Sequence, residues 1–468
     1  MSEEATENSL ESSLRRLKCH FTWNLLEGEN SLDNFEDRVC HQTELQSGEF
    51  RATTYNLLAF IKHQRGQGEE ALQCLRRAED LIQQQYPGQA ELRSLVTWGN
   101  YAWVYHGMGR LSEAQAYVDK IREACKKFSN PYRMESPELD CEEGWSRLKC
   151  GRQHAGRAKA CFEKCLDKRP KHPESTSGLA ICSFRLDQWS ALKNPVEALR
   201  RAIELNPDNQ YIKVLLALKL QKMNEDEEAE RLVEEAVGKA PCAIDVLRGA
   251  AMLYRKKNDL DSAIELLTRA VQCSPNNAYL HCHLGVCYRA KVLECEKRGL
   301  TGRYGYREDY QELIRHAVDH LKRADELNGT LVNVGSFLAC LHLQAGQYED
   351  AEYYFQREFA KELTAVERQV LHLRYGNFQW FQRKCESKAI HHFMEGVKIN
   401  QDPKATGKME NKLRGIAKAR LSRNRDDPQA LRILTCLQEL DGKRQPAGEN
   451  SETDVNGRLS PSASLADE

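Results

Sequence analysis

"AAMLYRKKNDLDSAIELLTRAVQCSP", residues 250–275, reads as two amphipathic helices joined by a short turn. Small residues stand at Ala251, Ala263 and Ala270, and Pro275 closes the stretch. Arg255, Lys256 and Lys257 cluster at the end of the first helix. Whether they are solvated or face a ligand is the functional question that the stretch raises.

The same spacing runs outward along the chain. Ala202, Ala236 and Ala270 are 34 residues apart, as are Pro207, Pro241 and Pro275. Ala229, Val233, Ala236 and Pro241 recur as Ala263, Leu267, Ala270 and Pro275. Twelve residues upstream of each set stand Ala217 and Ala251. Paired helices approach closely only where small side chains cross, and proline ends the second helix. The pattern resembles the tetratricopeptide repeat, a helix A–turn–helix B unit. Degenerate copies follow around Ala59–Ala78, Trp98–Ala114, Ala158–Pro170, Ala180, Leu284–Tyr288, Ala339–Phe355 and Ala389–Phe393. About nine units result, and the fold class expected is an all-α helical solenoid whose A helices line a concave face. Between Tyr288 and Ala317 the stretch "ECEKRGLTGRYGYREDY" is an insertion, read as a longer helix and a loop. Residues 123–140 form a connector with Asn-Pro and Ser-Pro turn signals.

Composition agrees with this class. Helix formers dominate, and the 468 residues include only 13 Pro and 28 Gly. Lys+Arg at 68 against Asp+Glu at 69 excludes a globally basic binder but leaves room for a local basic patch. No apolar run of membrane-spanning length occurs, and the start "MSEEATENSLESSLRR" is too polar and acidic for a signal peptide. A cytoplasmic protein with no membrane partner is expected. The 17 cysteines form no CxxC pair, so small buried side chains in a reducing compartment fit better than a zinc site. No phosphate-cradling Gly-rich loop, paired-histidine metal motif or nucleophile motif is present. The chain reads as a non-enzyme needing no cofactor and no metal.

Helical spacing selects which charges face the groove. In the unit beginning at 244, the groove stripe carries Asp245, Arg248, Met252, Arg255 and Lys256. Neighbouring units add Arg185, Lys222 and Arg289. Guanidinium groups gathered in one concavity repel one another unless an anion offsets them, and Arg suits phosphate. Lys257 is expected in solvent near the turn. A peptide-carboxylate clamp is not matched: its positions hold Asn56, Phe60, Gly99 and Trp103.

The stretches "LKCHFTWNL", "RSLVTWGNYAWVY", "ELDCEEGW", "LNPDNQYIKVLLALKLQKM" and "YFQREFAKELT" resemble the interferon-induced proteins with tetratricopeptide repeats over nearly the whole chain. "SLESSL", "EGENSLD", "LHLRYGNFQ" and "KAIHHFMEGVKINQ" narrow the resemblance to one branch. The resemblance implies an antiviral protein of the cytoplasm that holds RNA in a basic inner channel and inhibits viral replication or translation. It also implies complexes with relatives, and contacts with translation initiation factors. For this branch it implies AU-rich RNA and a homodimer with exchanged helices.

Site residues carry over one by one. Arg38 and Gln42, one helical turn apart, match an Arg-x-x-x-Gln pair, and Trp145 with Lys149 match a Trp-x-x-x-Lys pair. Trp145 reads equally well as core or groove wall. Arg185, Arg248, Arg255 and Arg289 match the basic positions, while Met252 stands where the family often has Lys. Lys408, Lys412 and Lys418 resemble a C-terminal basic wall. The competing reading is a scaffold of the innate immune response that acts through protein partners, promoting apoptosis or inhibiting translation. The division expected is 1–135, 136–245 with the helix-exchange region near its start, 246–442, and a disordered tail over 443–468.

Overall fold

In the computed structural model, residues 3–27, 36, 39, 51–126, 130–132, 134–186, 195–299 and 306–444 are described. Among them there is no β-strand, and the fold is an all-α tetratricopeptide-repeat solenoid. The packing divides into two compact units, Met1–Pro275 and Asn276–Glu468. The finer three-part division, with limits at 135, 245 and 442, stays a proposal.

The first unit opens with α1, Glu3–Leu14. Among the described residues, six helix pairs follow. They are α2 (Arg51–Gln64) with α3 (Gly68–Gln85), and α4 (Ala90–Gly107) with α5 (Leu111–Cys125). Next come α6 (Pro137–Lys149) with α7 (Ala155–Lys168), and α8 (Pro173–Leu186) with α9 (Pro195–Leu205). The last are α10 (Gln210–Lys222) with α11 (Asp226–Lys239), and α12 (Ile244–Lys256) with α13 (Leu260–Cys273). In the second unit α14 (Ala278–Lys297) pairs with α15 (Tyr306–Leu327), and α16 (Val334–Gln344) with α17 (Tyr348–Phe359). Then α18 (Ala365–Phe381) pairs with α19 (Glu386–Ile399), and α20 (Pro403–Arg423) with α21 (Pro428–Arg444).

The repeat ruler holds physically. Ala202, Ala217, Ala236, Ala263 and Ala270 are fully buried at the helix crossings. The turn of the opening stretch has its own chemistry. Asn258 takes a left-handed conformation (φ 63°), as does Asn224 (φ 62°) one repeat earlier. Asparagine tolerates this region better than most side chains. Asp259 then caps α13, its carboxylate accepting from the Ser262 backbone N–H (3.1 Å) and hydroxyl (2.7 Å).

The insertion is built as a long hairpin. Helix α14 has 20 residues and α15 has 22, against 13 and 14 for α12 and α13. Ala317, Leu321 and Ala324 are buried as the repeat pattern requires, but α15 already begins at Tyr306. Residues 300–305, Arg38, Gln42 and the expected tail beyond Arg444 lie outside the described residues. The connector is narrower than expected: α5 runs to Cys125, and Ser136 caps α6 by accepting from Leu139 N–H (3.3 Å).

One close approach sets the walls of the site. A Cβ on Gly249 of α12 would lie 2.4 Å from Val214 Cγ1 of α10. Only glycine lets these two A helices pack at this distance.

Candidate nucleic-acid interface

Four of the expected residues meet in the first unit. Trp145, Lys149, Arg185 and Arg248 line one cavity of about 680 Å³, with Glu174, Asn206, Asp208, Asn209, Gln210, Tyr211, Lys239 and Asp245. Helices α6, α8, α10 and α12 supply most of this lining, so A helices face the space as the repeat pattern requires.

Trp145 is both core and wall. It is buried, and its ring meets Phe162 edge-on at 5.5 Å between centroids, yet it borders the cavity. Lys149 is only 3% exposed and its ammonium donates to the Thr54 hydroxyl. Burial pushes Lys149 down to about 7, with Cys150 and Glu142 acting the other way. Burial likewise lifts the Glu142 carboxyl to about 7, although the Asn56 amide donates to it at 3.0 Å. Arg185 donates to the Leu148 carbonyl at 2.7 Å, tying α8 to the end of α6. Arg248 is half-buried and pairs with Asp245 at 3.2 Å. Burial works against its charge, while Asp245 and Tyr211 more than offset that.

The wall is therefore of mixed sign. Lys149, Arg185, Lys239 and Arg248 line the same space as Glu174, Asp208 and Asp245. A bare phosphate site would exclude the carboxylates. Hydrogen-bond acceptors beside cations suit a ligand that carries both phosphate and N–H or O–H groups.

Other expected residues stand apart from this cavity. Arg255 is half-buried, Lys256 is exposed, and neither borders the space, although both share α12 with Arg248. Arg255 has no hydrogen-bond or ion-pair partner for its side chain among the described residues. Met252 is half-buried between them. Lys257 is exposed at the turn, as expected; it caps α12 and also forms an ion pair with Glu230 on α11. Glu230 belongs to the preceding repeat, so helical spacing within one unit does not predict the pair.

In the second unit, the Arg289 guanidinium lies 4.8 Å from the Phe337 ring centroid, and Arg374 approaches the same ring at 5.1 Å. Arg289 Nε is buried with no hydrogen-bond partner among the described residues. Burial lowers the pKa of Arg374, and Arg289 adds to that. Sequence reasoning missed Arg374, which lies 85 residues beyond Arg289. Lys408 is exposed on α20, while Lys412 sits 4.6 Å over the Phe381 ring and burial lowers its pKa. Lys418 is exposed on the same helix.

Among the described residues no helix is long and apolar enough to cross a membrane, and no group of three or more His, Cys, Asp or Glu is placed to hold a metal.

Comparison with known proteins places this geometry. The family model for the tetratricopeptide repeat matches residues 50–127, and that for the Psidin N-terminal repeat region matches 185–298. Human interferon-induced protein with tetratricopeptide repeats 2 is 63% identical, covering 98% of both chains. Its mouse counterpart is 52% identical over 98% of both. Human antiviral innate immune response effector IFIT1 is 42% identical over 96% of this chain and 95% of its own. A solved monomeric IFIT1 mutant with Gppp-AAAA superposes with a TM-score of 0.80 at 42% identity, covering 93% of this chain and 96% of that one. A human IFIT1 dimer with m7Gppp-AAAA gives 0.78 at 42%, covering 92% and 96%. With nearly complete coverage on both sides, the chain belongs to the interferon-induced proteins with tetratricopeptide repeats and is more similar to the family's second member than to IFIT1.

Proposed function

We infer that this chain is an interferon-induced antiviral protein that binds RNA, and that the cavity between α6, α8, α10 and α12 holds a segment of the RNA chain. The observation that carries this reading is the meeting of Trp145, Lys149, Arg185 and Arg248 around one space of about 680 Å³. That volume lies in the range of ligand pockets, about 300–1,000 Å³. The cations suit phosphates, and the carboxylates and amides suit base and ribose edges. The RNA-bound IFIT1 structures support the same reading by family.

Finer parts of the reading rest on the family resemblance. They are an AU-rich preference, inhibition of viral replication or translation, residence in the cytoplasm, and mixed complexes with relatives that extend to initiation factors. A homodimer belongs here too, supported by the IFIT1 dimer, while the exchange of helices rests on the resemblance alone. Arg255, Lys256, Arg289, Lys408, Lys412, Arg38 and Gln42 are further RNA contacts in this proposal. The chain acts as a binder without catalysis.

The test is RNA retention across salt by Arg185→Ala with Arg248→Ala. Each lost phosphate contact lowers the salt slope by about 0.7 on single strands. At about 1.4 kcal/mol per contact, affinity falls roughly 100-fold for two. Unchanged affinity and slope in a folded variant overturns the cavity as the RNA site. Partner capture that persists at high salt, with no RNA retained by the wild type, favours the scaffold reading.

A further inference from the structure

The cysteines were expected to be buried; among the described residues eight are, six are half-buried and two are exposed. Among the described residues, Cys242 and Cys273 are the exposed cysteines. Cys242 sits in the turn between α11 and α12, directly after Pro241. Cys273 is the last residue of α13. One helical turn before it, Arg269 donates to the Pro241 carbonyl at 3.2 Å. That bond holds the turn against the end of α13, and positions four apart on a helix share a face. Burial raises the Cys273 thiol above its usual range, and the neighbouring Cys242 thiol adds to that.

We propose that Cys242 and Cys273 form a surface dithiol site that peroxide converts to an intramolecular disulfide. One thiolate attacks a peroxide oxygen, giving a sulfenic acid and releasing hydroxide. The second thiolate attacks that sulfur and expels a further hydroxide. In sum, two thiols and one hydrogen peroxide give one disulfide and two waters. The sulfurs are oxidised and the peroxide oxygens are reduced. The bond closes a ring that contains α12 and α13, the hairpin that carries Arg248, Arg255 and Lys256. Eight other thiols, Cys19, Cys125, Cys141, Cys150, Cys165, Cys182, Cys282 and Cys287, are buried and do not compete on equal terms. The inference does not depend on the RNA reading.

The test treats the folded full chain with hydrogen peroxide, blocks remaining thiols with N-ethylmaleimide, and locates the link by tandem mass spectrometry. The expected product joins Cys242 to Cys273, with a mass about 2 Da below the two free thiols, and dithiothreitol reverses it. The link is lost in Cys242→Ser and in Cys273→Ser, whose circular dichroism matches the wild type. Three results overturn the proposal. Both residues remain alkylated after peroxide, or both reach sulfinic acid separately, or each pairs with a different cysteine.

Discussion

Acidification should loosen the first unit through one imidazole. His20 is fully buried, its Nδ1 facing the Asn100 amide nitrogen (3.1 Å) and its Nε2 the Ser146 hydroxyl (3.0 Å). The amide can only donate, so Nδ1 accepts and the ring is neutral with its proton on Nε2. Burial lowers its pKa from 6.5 to about 3, and Lys149 adds to that. A depressed folded value means stability that is present above the unfolded pKa and is lost as pH falls toward the folded one. Between pH 7 and pH 5 the unfolded chain takes up about three quarters of a proton at this site and the folded chain takes up almost none. The loss is about 2 kcal/mol. Glu142, lifted to about 7, titrates in the same range with the opposite sign, so the comparison must be with His20→Gln, in which Glu142 is kept. Urea unfolding followed by tryptophan fluorescence suits the site, because Trp23 lies 4.7 Å from the imidazole. The wild type should lose about 2 kcal/mol more than His20→Gln over this range, roughly 1 M in midpoint for a typical urea slope. Equal pH dependence in the two proteins refutes the buried neutral imidazole.

Further outcomes follow from single contacts. Gly249→Val overpacks α12 against Val214 and should cost about 1–3 kcal/mol, read by thermal unfolding, with partial recovery on adding Val214→Ala. Thr364→Ala removes the capping box of α18, in which Thr364 and Glu367 bond reciprocally, and should cost about 1 kcal/mol by denaturant unfolding of the second unit. Lys257→Ala breaks only a partly exposed pair with Glu230 and should cost under about 1 kcal/mol, with RNA retention unchanged in a filter assay.

The fold was legible because the repeat writes its packing into small residues. Ala202, Ala236, Ala270 and their prolines mark helix crossings and helix ends by size and shape alone, which no neighbour can override. The site was legible in part. Arg185 and Arg248 emerged from groove spacing, and Trp145 and Lys149 from resemblance, and the structure gathers all four. Of its carboxylates only Asp245 stood on the expected groove stripe, and Glu174 and Asp208 were not foreseen. Glu174, Asp208 and Asp245 lie near the starts of three successive A helices, where acidic residues ordinarily read as favourable to the helix dipole. Lys149 is an ordinary basic residue by sequence, and Thr54, its partner 95 residues earlier, appears only through packing. Lys257 and Arg374 teach the same lesson, since their partners come from other helices than their own. Cys242 and Cys273 depart from the buried-thiol reading because they sit at a turn and a helix end, outside the crossing stripes.

The central claim is that RNA occupies the cavity lined by A helices of the first unit. Crosslinking with 4-thiouridine-bearing RNA, followed by mass-spectrometric mapping, tests it most directly. The account predicts adducts on cavity residues such as Trp145, Tyr211 and Lys239, lost when Arg185 and Arg248 are both replaced by Ala. Adducts that spare this cavity altogether, or that persist unchanged in the folded double variant, contradict it.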